Sequence, residues 1–300
     1  MQNIPGLRRP WVLLQISSPL STAPSRSCRM VPYKSRLIRL HHPSAGKAVR
    51  FVRKSGQGWF RIHPNKEEDV RPQIRTISLS LPYRLGSVNC YLIETDTGFV
   101  LIDTGGSNKR ADLERELAGA GCKPGDLQLV LLTHGDFDHT GNCAFLRKKF
   151  GAKIAMHPDD SGMVERGDMF SNRESGNILF SMIAPLLFRF GKSDRFSPDM
   201  YIEEGYDLSD FGWDAKALSI PGHSKGSIGI LTAIGDLFCG DLLANTDKPA
   251  LNSIMDDLGA AKASVDKLRN LAIRTVYPGH GKPFAMELFT SSHLGANQEE

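Results

Sequence analysis

No stretch of the 300-residue sequence is apolar enough to cross a membrane. A membrane-spanning helix needs about 18 consecutive apolar residues, and the longest apolar stretch, residues 178–190, is shorter and contains Arg189. The five cysteines include no CxxC pair, so neither a disulfide framework nor a zinc ribbon is indicated. An odd number of cysteines without such spacing suits a reducing compartment, and we predict a cytoplasmic protein with no integral membrane association.

Acidic residues are absent from residues 1–66, which contain 13 Lys or Arg. Residues 67–300 contain 24 basic and 33 acidic residues, so the overall charge of +4 combines a basic leader with an acidic body. An acidic body repels phosphate groups, which argues against nucleic-acid binding by the main domain.

Residues 1–70 show neither a helical period nor a clean strand alternation, and prolines interrupt every candidate element. Low hydrophobicity with such interruptions predicts a disordered extension. Two alternatives stay open. An Arg- and Ser-rich leader is also typical of a transit peptide, which would imply organellar import, and a basic arm can contact nucleic acid or anionic lipid.

Beyond residue 70, short apolar stretches predict strands and longer amphipathic stretches predict helices. The strands fall in two groups, each followed by helices, and this order favours two sheets packed together with helices outside them. The helical patterns cover residues 109–120, 143–150, 177–189 and 255–271. We therefore predict one α/β domain over residues 71–300.

Residues 159–213 are longer than a bare connection requires, and we predict that they form a lid or wall insertion beside the functional site. Within them, residues 177–190 carry an apolar helical pattern. An exposed apolar face often marks an interface, so this helix is a candidate homodimer face. Packing of the helix on its own domain, or such a dimer face, explains the pattern about as well as a role in a lid or wall beside the site.

The strongest chemical signal is the segment 131–142, LLTHGDFDHTGN. Four side chains that can bind a metal ion lie within six residues of one another, directly after an apolar strand: His134, Asp136, Asp138 and His139. A loop at the end of a strand can turn such closely spaced side chains toward one point. Imidazole and carboxylate ligands suit zinc, manganese or iron. A polar helix-capping loop would explain one His and one Asp, but not all four residues.

Four further polar residues each follow a short apolar strand and lie within two residues of a glycine, which lets the backbone approach a ligand closely. They are Asp103, His223, Asp241 and His280. Each alone has an ordinary explanation as a turn residue, but together with the cluster they indicate one metal site. Lys225 and Ser227 are weaker candidates for binding a substrate anion, since a Lys on a turn is more often only solvated.

This ordered series of motifs resembles the metallo-β-lactamase superfamily over residues 74–283. The resemblance implies an αββα sandwich of two mixed sheets with helices on the outer faces, and a metal centre at the edge between the sheets. It also implies roles for the candidate residues. One metal would be held by His134, Asp136 and His223, a second by Asp138, His139 and His280, with Asp241 bridging the two and Asp103 orienting the ligands.

The cluster departs from the superfamily's usual His-x-His-x-Asp-His motif, because Asp136 stands where the second His belongs. A carboxylate at this position adds negative charge and favours harder metals, and flavodiiron members also have a carboxylate there, a Glu. We expect two divalent metal ions, with zinc as the default and iron or manganese as alternatives.

The resemblance predicts a hydrolase that acts on a small ester, thioester, lactone or phosphoester. In such a site two cations lower the pKa of a bridging water, and the hydroxide attacks a carbonyl or phosphoryl centre. Asp138 is the candidate catalytic residue, which would orient the nucleophile and pass a proton to the leaving group. We expect neither the extra helical domain of glyoxalase II nor the insertions of nucleic-acid-processing members.

Two functional alternatives remain. Persulfide dioxygenases of the same superfamily hold one iron through two His and one Asp, which correspond here to His134, His223 and Asp241; the additional Asp138 and His280 favour two metals. The third alternative is nucleic-acid binding through the basic leader. It predicts salt-dependent binding that disappears when residues 1–66 are deleted.

Overall fold

The chain divides into two compact units in the computed structural model, residues 1–70 and residues 71–300. Each unit is described by itself. The residues that the structure describes are 36–40, 49–53, 59–62, 72–171, 173, 183 and 190–294.

The first unit contains a three-stranded antiparallel sheet, in the order β1-β2-β3. Its strands are β1 (Arg36–Leu40), β2 (Val49–Arg53) and β3 (Trp59–Ile62). The sequence indicated no regular element here, because strands of four or five residues depend on pairing with a neighbour more than on a local pattern. The predicted disorder of the extension otherwise concerns residues outside the described part of the chain, and there it stays a prediction.

The second unit begins with a six-stranded mixed sheet, in which β4, β5 and β6 pair antiparallel and β6 to β9 pair parallel. Its strands, in their order across the sheet, are β4 (Ile74–Ser80), β5 (Ser87–Thr95), β6 (Gly98–Ile102), β7 (Leu127–Leu131), β8 (Lys153–Met156) and β9 (Met200–Tyr201). The helices of this half are α1 (Arg110–Gly119), α2 (Phe137–Thr140), α3 (Cys143–Phe150) and α4 (Pro158–Arg166).

The second sheet of this unit is also mixed, with β12 and β15 parallel and its other pairs antiparallel. Its order is β10 (Ala215–Ser219), β11 (Ile228–Thr232), β12 (Asp236–Gly240), β15 (Thr275–Pro278) and β16 (Phe284–Ala285). A small ribbon pairs β13 (Leu243–Ala244) with β14 (Ala250–Leu251), and the helices are α5 (Leu258–Arg269) and α6 (Met286–Leu294).

The two sheets face each other across a buried apolar layer. Ile102 and Leu129 of the first sheet and Ile230 and Phe238 of the second belong to this layer, and all four are fully buried. Because the strands of each sheet also bury their opposite faces, those faces need helices to cover them.

Helices cover the outer face of each sheet. Leu113 of α1 and Leu146 of α3 pack in the cluster behind the first sheet, while Leu268 of α5 and Phe289 of α6 pack behind the second. The unit is therefore an αββα sandwich, which confirms the predicted fold class.

Three of the predicted helices are present at nearly the predicted positions, namely α1, α3 and α5. The predicted helix at 177–189, and with it the candidate homodimer face at 177–190, lies outside the described residues apart from Ile183 and Phe190. Helix α4 was not predicted, because Met163 and Val164 are its only large apolar residues and its third buried position is Asp160. Pro158 at its start and the His157 side chain, which accepts from the Asp159 amide at 3.2 Å, fix its N-terminus instead.

The remaining features are short. Among the described residues, the 3₁₀ turns are Pro82–Arg84, Ser107–Lys109, Lys192–Asp194 and Ser209–Phe211. None of the helices in the described part of the chain is both long and apolar enough to cross a membrane.

Candidate metal centre

The predicted polar residues follow the carboxyl ends of parallel strands. Asp103 directly follows β6, and His134 comes three residues after the end of β7 in the same sheet. Asp241 directly follows β12, and His280 comes two residues after β15 in the other sheet. Because parallel strands end at one edge of a sheet, each sheet brings its own pair of residues together.

Part of the motif forms a single helical turn, α2, where we expected a loop. The Asp136 carbonyl accepts hydrogen bonds from the amides of His139 and Thr140, both at 3.0 Å. One turn is too short to spread side chains around a helix surface, so Asp138 and His139 still face the same side as His134.

The protein fixes Nδ1 of all four motif histidines. The partners are Thr133 Oγ1 for His134 (2.9 Å), Asp103 Oδ2 for His139 (2.9 Å), the Ile254 carbonyl for His223 (2.8 Å) and the Ser87 carbonyl for His280 (2.8 Å). A hydrogen bond at one ring nitrogen sets the orientation of the imidazole and leaves the other nitrogen free to bind a metal.

The Nε2 atoms point toward the carboxylates. Nε2 of His223 lies 3.1 Å from Asp136 Oδ2, and Nε2 of His280 lies 3.1 Å from Asp241 Oδ2. Nε2 of His139 is 3.4 Å from Asp241 Oδ1, without the alignment of a hydrogen bond. The histidines and carboxylates of both sheets therefore meet in one place.

Three overlapping groups of donor atoms could each hold a metal ion, since the atoms of each group lie within 4.8 Å of one another. The groups are His134, Asp136 and His223; Asp138, His139 and His280; and His134, His139 and Asp241. Nε2 of His134, Nε2 of His139 and Oδ1 of Asp241 are buried and have no hydrogen-bond partner. Buried polar atoms without partners are costly, and divalent cations would satisfy them, so the donor set fits two such ions.

The titration of the histidines depends on their neighbours. Burial and the adjacent imidazoles hold the pKa of His134 well below its ordinary value. Burial acts the same way on His223 and His280, but the carboxylates of Asp136 and Asp241 outweigh it and raise the pKa of each to about 9. Burial also disfavours a charge on His139, but Asp241 and Asp103 outweigh it and raise the pKa of His139 well above its ordinary value. Three of the four rings therefore carry a proton at neutral pH until a metal displaces it.

The pKa values of the three carboxyl groups also depend on the balance between burial and neighbouring charges. Burial alone would raise the pKa of Asp136, but the guanidinium of Arg173 and the imidazole of His223 hold it below its ordinary value. Burial is likewise outweighed at Asp241, whose neighbouring histidines keep its pKa well below the usual range. At Asp138 burial dominates and raises the pKa. Asp138 therefore binds a proton more readily than the other two.

Asp103 contacts His139 at Nδ1, the ring nitrogen that faces away from the proposed metal position. It is therefore not itself a proposed metal ligand. It is buried, and its backbone has a φ of 56°, a strained value for a residue with a side chain. Its Oδ1 accepts from the Thr133 amide at 2.9 Å, and its Oδ2 accepts from Thr133 Oγ1 at 2.8 Å in addition to contacting His139. These bonds fix the ring of His139.

Asp160 of α4 is a positioning residue that the sequence analysis missed. Its Oδ2 accepts from the Gly135 amide at 3.0 Å and from Ser224 Oγ at 2.6 Å, and its Oδ1 accepts from the Gly226 amide at 2.9 Å. The buried carboxylate thus connects the loop that carries His134 with the loop that carries His223. Nothing in the local sequence of α4 indicates these contacts.

Arg173 was also missed. Its side chain is 6 % exposed, and its Nη2 lies 2.9 Å from Asp136 Oδ1 as an ion pair, while its Nε donates to Asp256 Oδ2 at 2.8 Å. The guanidinium stacks over the ring of Phe170, with 5.7 Å between Cζ and the ring centroid. An isolated Arg between a helix and an apolar stretch gives no sequence signal for such a position.

The two weaker candidates make contacts elsewhere. Lys225 has a side chain that is 73 % exposed, and it pairs with Asp159 at 3.5 Å. Ser227 is buried, and its hydroxyl accepts from the Ser224 amide at 3.0 Å. Their predicted role in binding a substrate anion gains no support from these contacts.

Sequence comparisons relate the chain to a family of metal-dependent hydrolases. The family profile described as the metallo-beta-lactamase superfamily matches residues 83–280. The chain is 28 % identical over 235 residues to a probable metallo-hydrolase of Bacillus subtilis, covering 69 % of this chain and 71 % of that protein. It is 29 % identical over 168 residues to a hydroxyacylglutathione hydrolase of Haemophilus influenzae, covering 54 % and 70 %.

Two solved structures resemble this chain in fold. A metallo-beta-lactamase family protein from Thermus thermophilus aligns with a TM-score of 0.56 and 26 % identity, covering 75 % of this chain and 79 % of that one. A second structure, of a di-iron-bound form, aligns with a TM-score of 0.52 and 28 % identity, covering 68 % and 92 %.

Proposed function

The chain belongs to the metallo-β-lactamase superfamily, and from that premise we propose that it is a dinuclear metal-dependent hydrolase of a small ester, thioester, lactone or phosphoester. The observation that carries the proposal is the common arrangement of the four histidines. Each has Nδ1 engaged by the protein and Nε2 directed toward the same carboxylates.

We assign the residues to two metal positions. His134, Asp136 and His223 would hold one ion, Asp138, His139 and His280 the other, and Asp241 would contact both. Zinc is the proposed metal, because nitrogen and oxygen donors without thiolate suit it, while iron and manganese use the same donors. When bound, such ions act as Lewis acids and lower the pKa of coordinated water.

The exposure of the ligands gives a direction of approach for the substrate. The side chains of Asp138 and His280 are 12 % and 18 % exposed, whereas that of His139 is fully buried. A substrate would therefore enter on the side of Asp138 and His280. Oδ2 of Asp138 is the oxygen nearer to His139 and His280. It would therefore serve as the metal ligand, which leaves Oδ1 to accept a proton and pass it to the leaving group.

A thioester is the first substrate class to test, since one relative is named as a hydroxyacylglutathione hydrolase. That relationship covers only about half of this chain, so esters, lactones and phosphoesters belong in the same screen. The cytoplasmic location expected from the cysteines agrees with small thioester substrates, and both remain part of the proposal.

The proposal is tested by elemental analysis of protein purified without added metal, followed by the substrate screen. Two zinc or manganese ions per chain with hydrolysis of one substrate class would support it. The variant Asp138→Asn keeps an oxygen that can contact the metal but cannot take up a proton. At saturating zinc it should therefore keep both metals and lose most of the hydrolytic rate, roughly 10²–10⁴-fold.

Two results would contradict the proposal. One iron per chain with oxygen uptake on thiol persulfides would favour the dioxygenase alternative through His134, His223 and Asp241. An Asp138→Asn variant with unchanged metal content and unchanged rate would remove the assigned proton transfer.

A further inference from the structure

The carboxylate at position 136 has a buried partner of opposite charge. Asp136 stands where the superfamily's motif has a histidine, and Arg173 pairs with it at 2.9 Å. Both side chains are less than a tenth exposed. A buried ionised carboxylate without compensation is strongly unfavourable, so the replacement of a neutral ring by Asp136 depends on this arginine.

The two oxygens of Asp136 have different partners. Oδ1 faces Nη2 of Arg173, while Oδ2 faces Nε2 of His223 at 3.1 Å and Nε2 of His134 at 3.8 Å. Because Oδ1 is paired with Arg173, only Oδ2 of Asp136 faces the histidines. The guanidinium thus orients the carboxylate so that one oxygen, and only one, reaches the metal position.

The arginine also connects this ligand to a second one. Its Nε donates to Asp256, whose amide donates to the Gly222 carbonyl at 2.8 Å, directly before His223. The nearby Ile254 carbonyl contacts Nδ1 of His223. The same segment therefore fixes both the arginine and the His223 ring. The Asp256 side chain is 27 % exposed, so solvent screens its charge more than that of the buried pair.

We propose that Arg173 is a positioning residue of the metal site, and that Asp136 and Arg173 together take the place of the motif's second histidine. The pair supplies one donor atom and no net charge, as a neutral imidazole does. The planar guanidinium suits this role because it reaches two carboxylates at once, Asp256 by a hydrogen bond through Nε and Asp136 by an ion pair through Nη2, which the single point charge of a lysine ammonium does not. The inference rests on the metal site of the proposed function, but not on the reaction.

The test measures zinc affinity by competition with a chelator, and the melting temperature of the metal-free protein. Arg173→Gln should weaken zinc binding at one of two positions by roughly 10–100-fold. Arg173→Lys should recover only part of this loss. Asp136→His alone should also weaken binding, because it leaves Arg173 facing a ring instead of a carboxylate. The double variant Asp136→His with Arg173→Gln should bind zinc more tightly than either single variant.

Arg147→Gln is the matched control, since Arg147 also contacts a carboxylate, Asp199, through Nε and Nη2 and lies over a phenylalanine ring. It should bind zinc like the wild-type chain. A wild-type affinity in Arg173→Gln, or additive losses in the double variant, would overturn the inference, even if the melting temperature fell. If the wild-type chain binds no metal, the proposed function fails first, so the two failures are distinguishable.

Discussion

At the scale of single residues, the metal site depends on groups that contact the histidines from behind. Asp103 accepts two hydrogen bonds from Thr133 and holds the ring of His139. In Asp103→Asn, the side-chain NH₂ group would face one of the groups that now donate to the carboxylate, and that hydrogen bond would be lost. We expect zinc affinity to fall roughly 10–100-fold, as is common when such an orienting partner is lost. Chelator competition measures it. The exposed Asp126, which accepts from the Lys123 amide, provides the control Asp126→Asn; equal affinity in both variants would contradict the role of Asp103.

The backbone at Gly279 lies so close to two of the proposed ligands that a side chain does not fit there. A Cβ at this position would overlap Oδ1 of Asp241 and come within 2.8 Å of Cε1 of His139. Gly279→Ala should therefore bind fewer than two zinc ions per chain while the protein still folds, as elemental analysis and circular dichroism would show. Gly259→Ala in α5 meets only Asp257 at 3.2 Å, and it should bind metal normally. Full metal content in Gly279→Ala would refute the steric argument.

Protons compete with metal for His223 and His280. Their pKa values of about 9 in the metal-free chain lie above the ordinary value of 6.5, so both rings are charged at neutral pH and must lose a proton to bind a cation. Zinc affinity should therefore rise with pH at least up to about 9. Calorimetry near neutral pH in buffers of different ionisation enthalpy should detect proton release on zinc binding, and identical heats would argue against it.

The residue scale also shows what the sequence could predict. The histidines and aspartates of residues 134–139 carry a local signal, because their types and spacing are sufficient to indicate metal chemistry. Arg173 and Asp160 carry none, since each acts through contacts with residues far away in the chain. Buried partners of this kind are visible only after the fold brings them together.

At the scale of elements, α4 links two loops that carry ligands. Asp160 accepts three hydrogen bonds from those loops, and hydrogen bonds to charged groups stabilise by about 1.5–3 kcal/mol each. Asp160→Asn would place an NH₂ group against a donor and should lower the melting temperature by roughly 5–15 °C. Burial raises the pKa of Asp160, so this difference should shrink in acid, where the wild-type carboxyl is also neutral.

The control for this experiment is Asp159→Asn in the same helix. Asp159 is more exposed and pairs with Lys225 at 3.5 Å, a surface ion pair that contributes about 0–1 kcal/mol. Its melting temperature should change little. Similar losses in both variants would mean that α4 itself, rather than the Asp160 carboxylate, is the sensitive element.

Elements with a clear apolar period were predictable and the others were not. Helix α3 was predicted with its observed bounds, because its apolar positions recur on one face. Helix α4 has only two large apolar residues, Met163 and Val164, beside the buried Asp160, so its buried face gives little apolar signal in the sequence. The edge strand β9 has two residues, and its pairing with β8 depends on the surrounding fold rather than on its own sequence.

At the scale of the whole molecule, the charge separates between the two units. The second unit, residues 71–300, carries 30 acidic and 24 basic residues, an excess of six acidic residues, although the full chain has a net charge of +4. Deleting residues 1–66 should leave the zinc content unchanged, since all the candidate ligands lie in the second unit. Any salt-dependent binding to DNA or heparin should disappear with the leader. Loss of zinc on deletion, measured by elemental analysis, would contradict the independence of the second unit.

The hydrogen bonds at Nδ1 of the four histidines have a consequence for metal selection. Thr133, Asp103 and two backbone carbonyls orient the four rings, so the proposed ligands form a cage that needs no folding step to receive a cation. A zinc finger, by contrast, is unfolded without its metal. A preformed cage of nitrogen and oxygen donors accepts several divalent ions with little rearrangement. We therefore expect cellular supply during synthesis to decide which ion binds, and expression in iron-rich or zinc-rich medium should change the metal loaded without changing the fold.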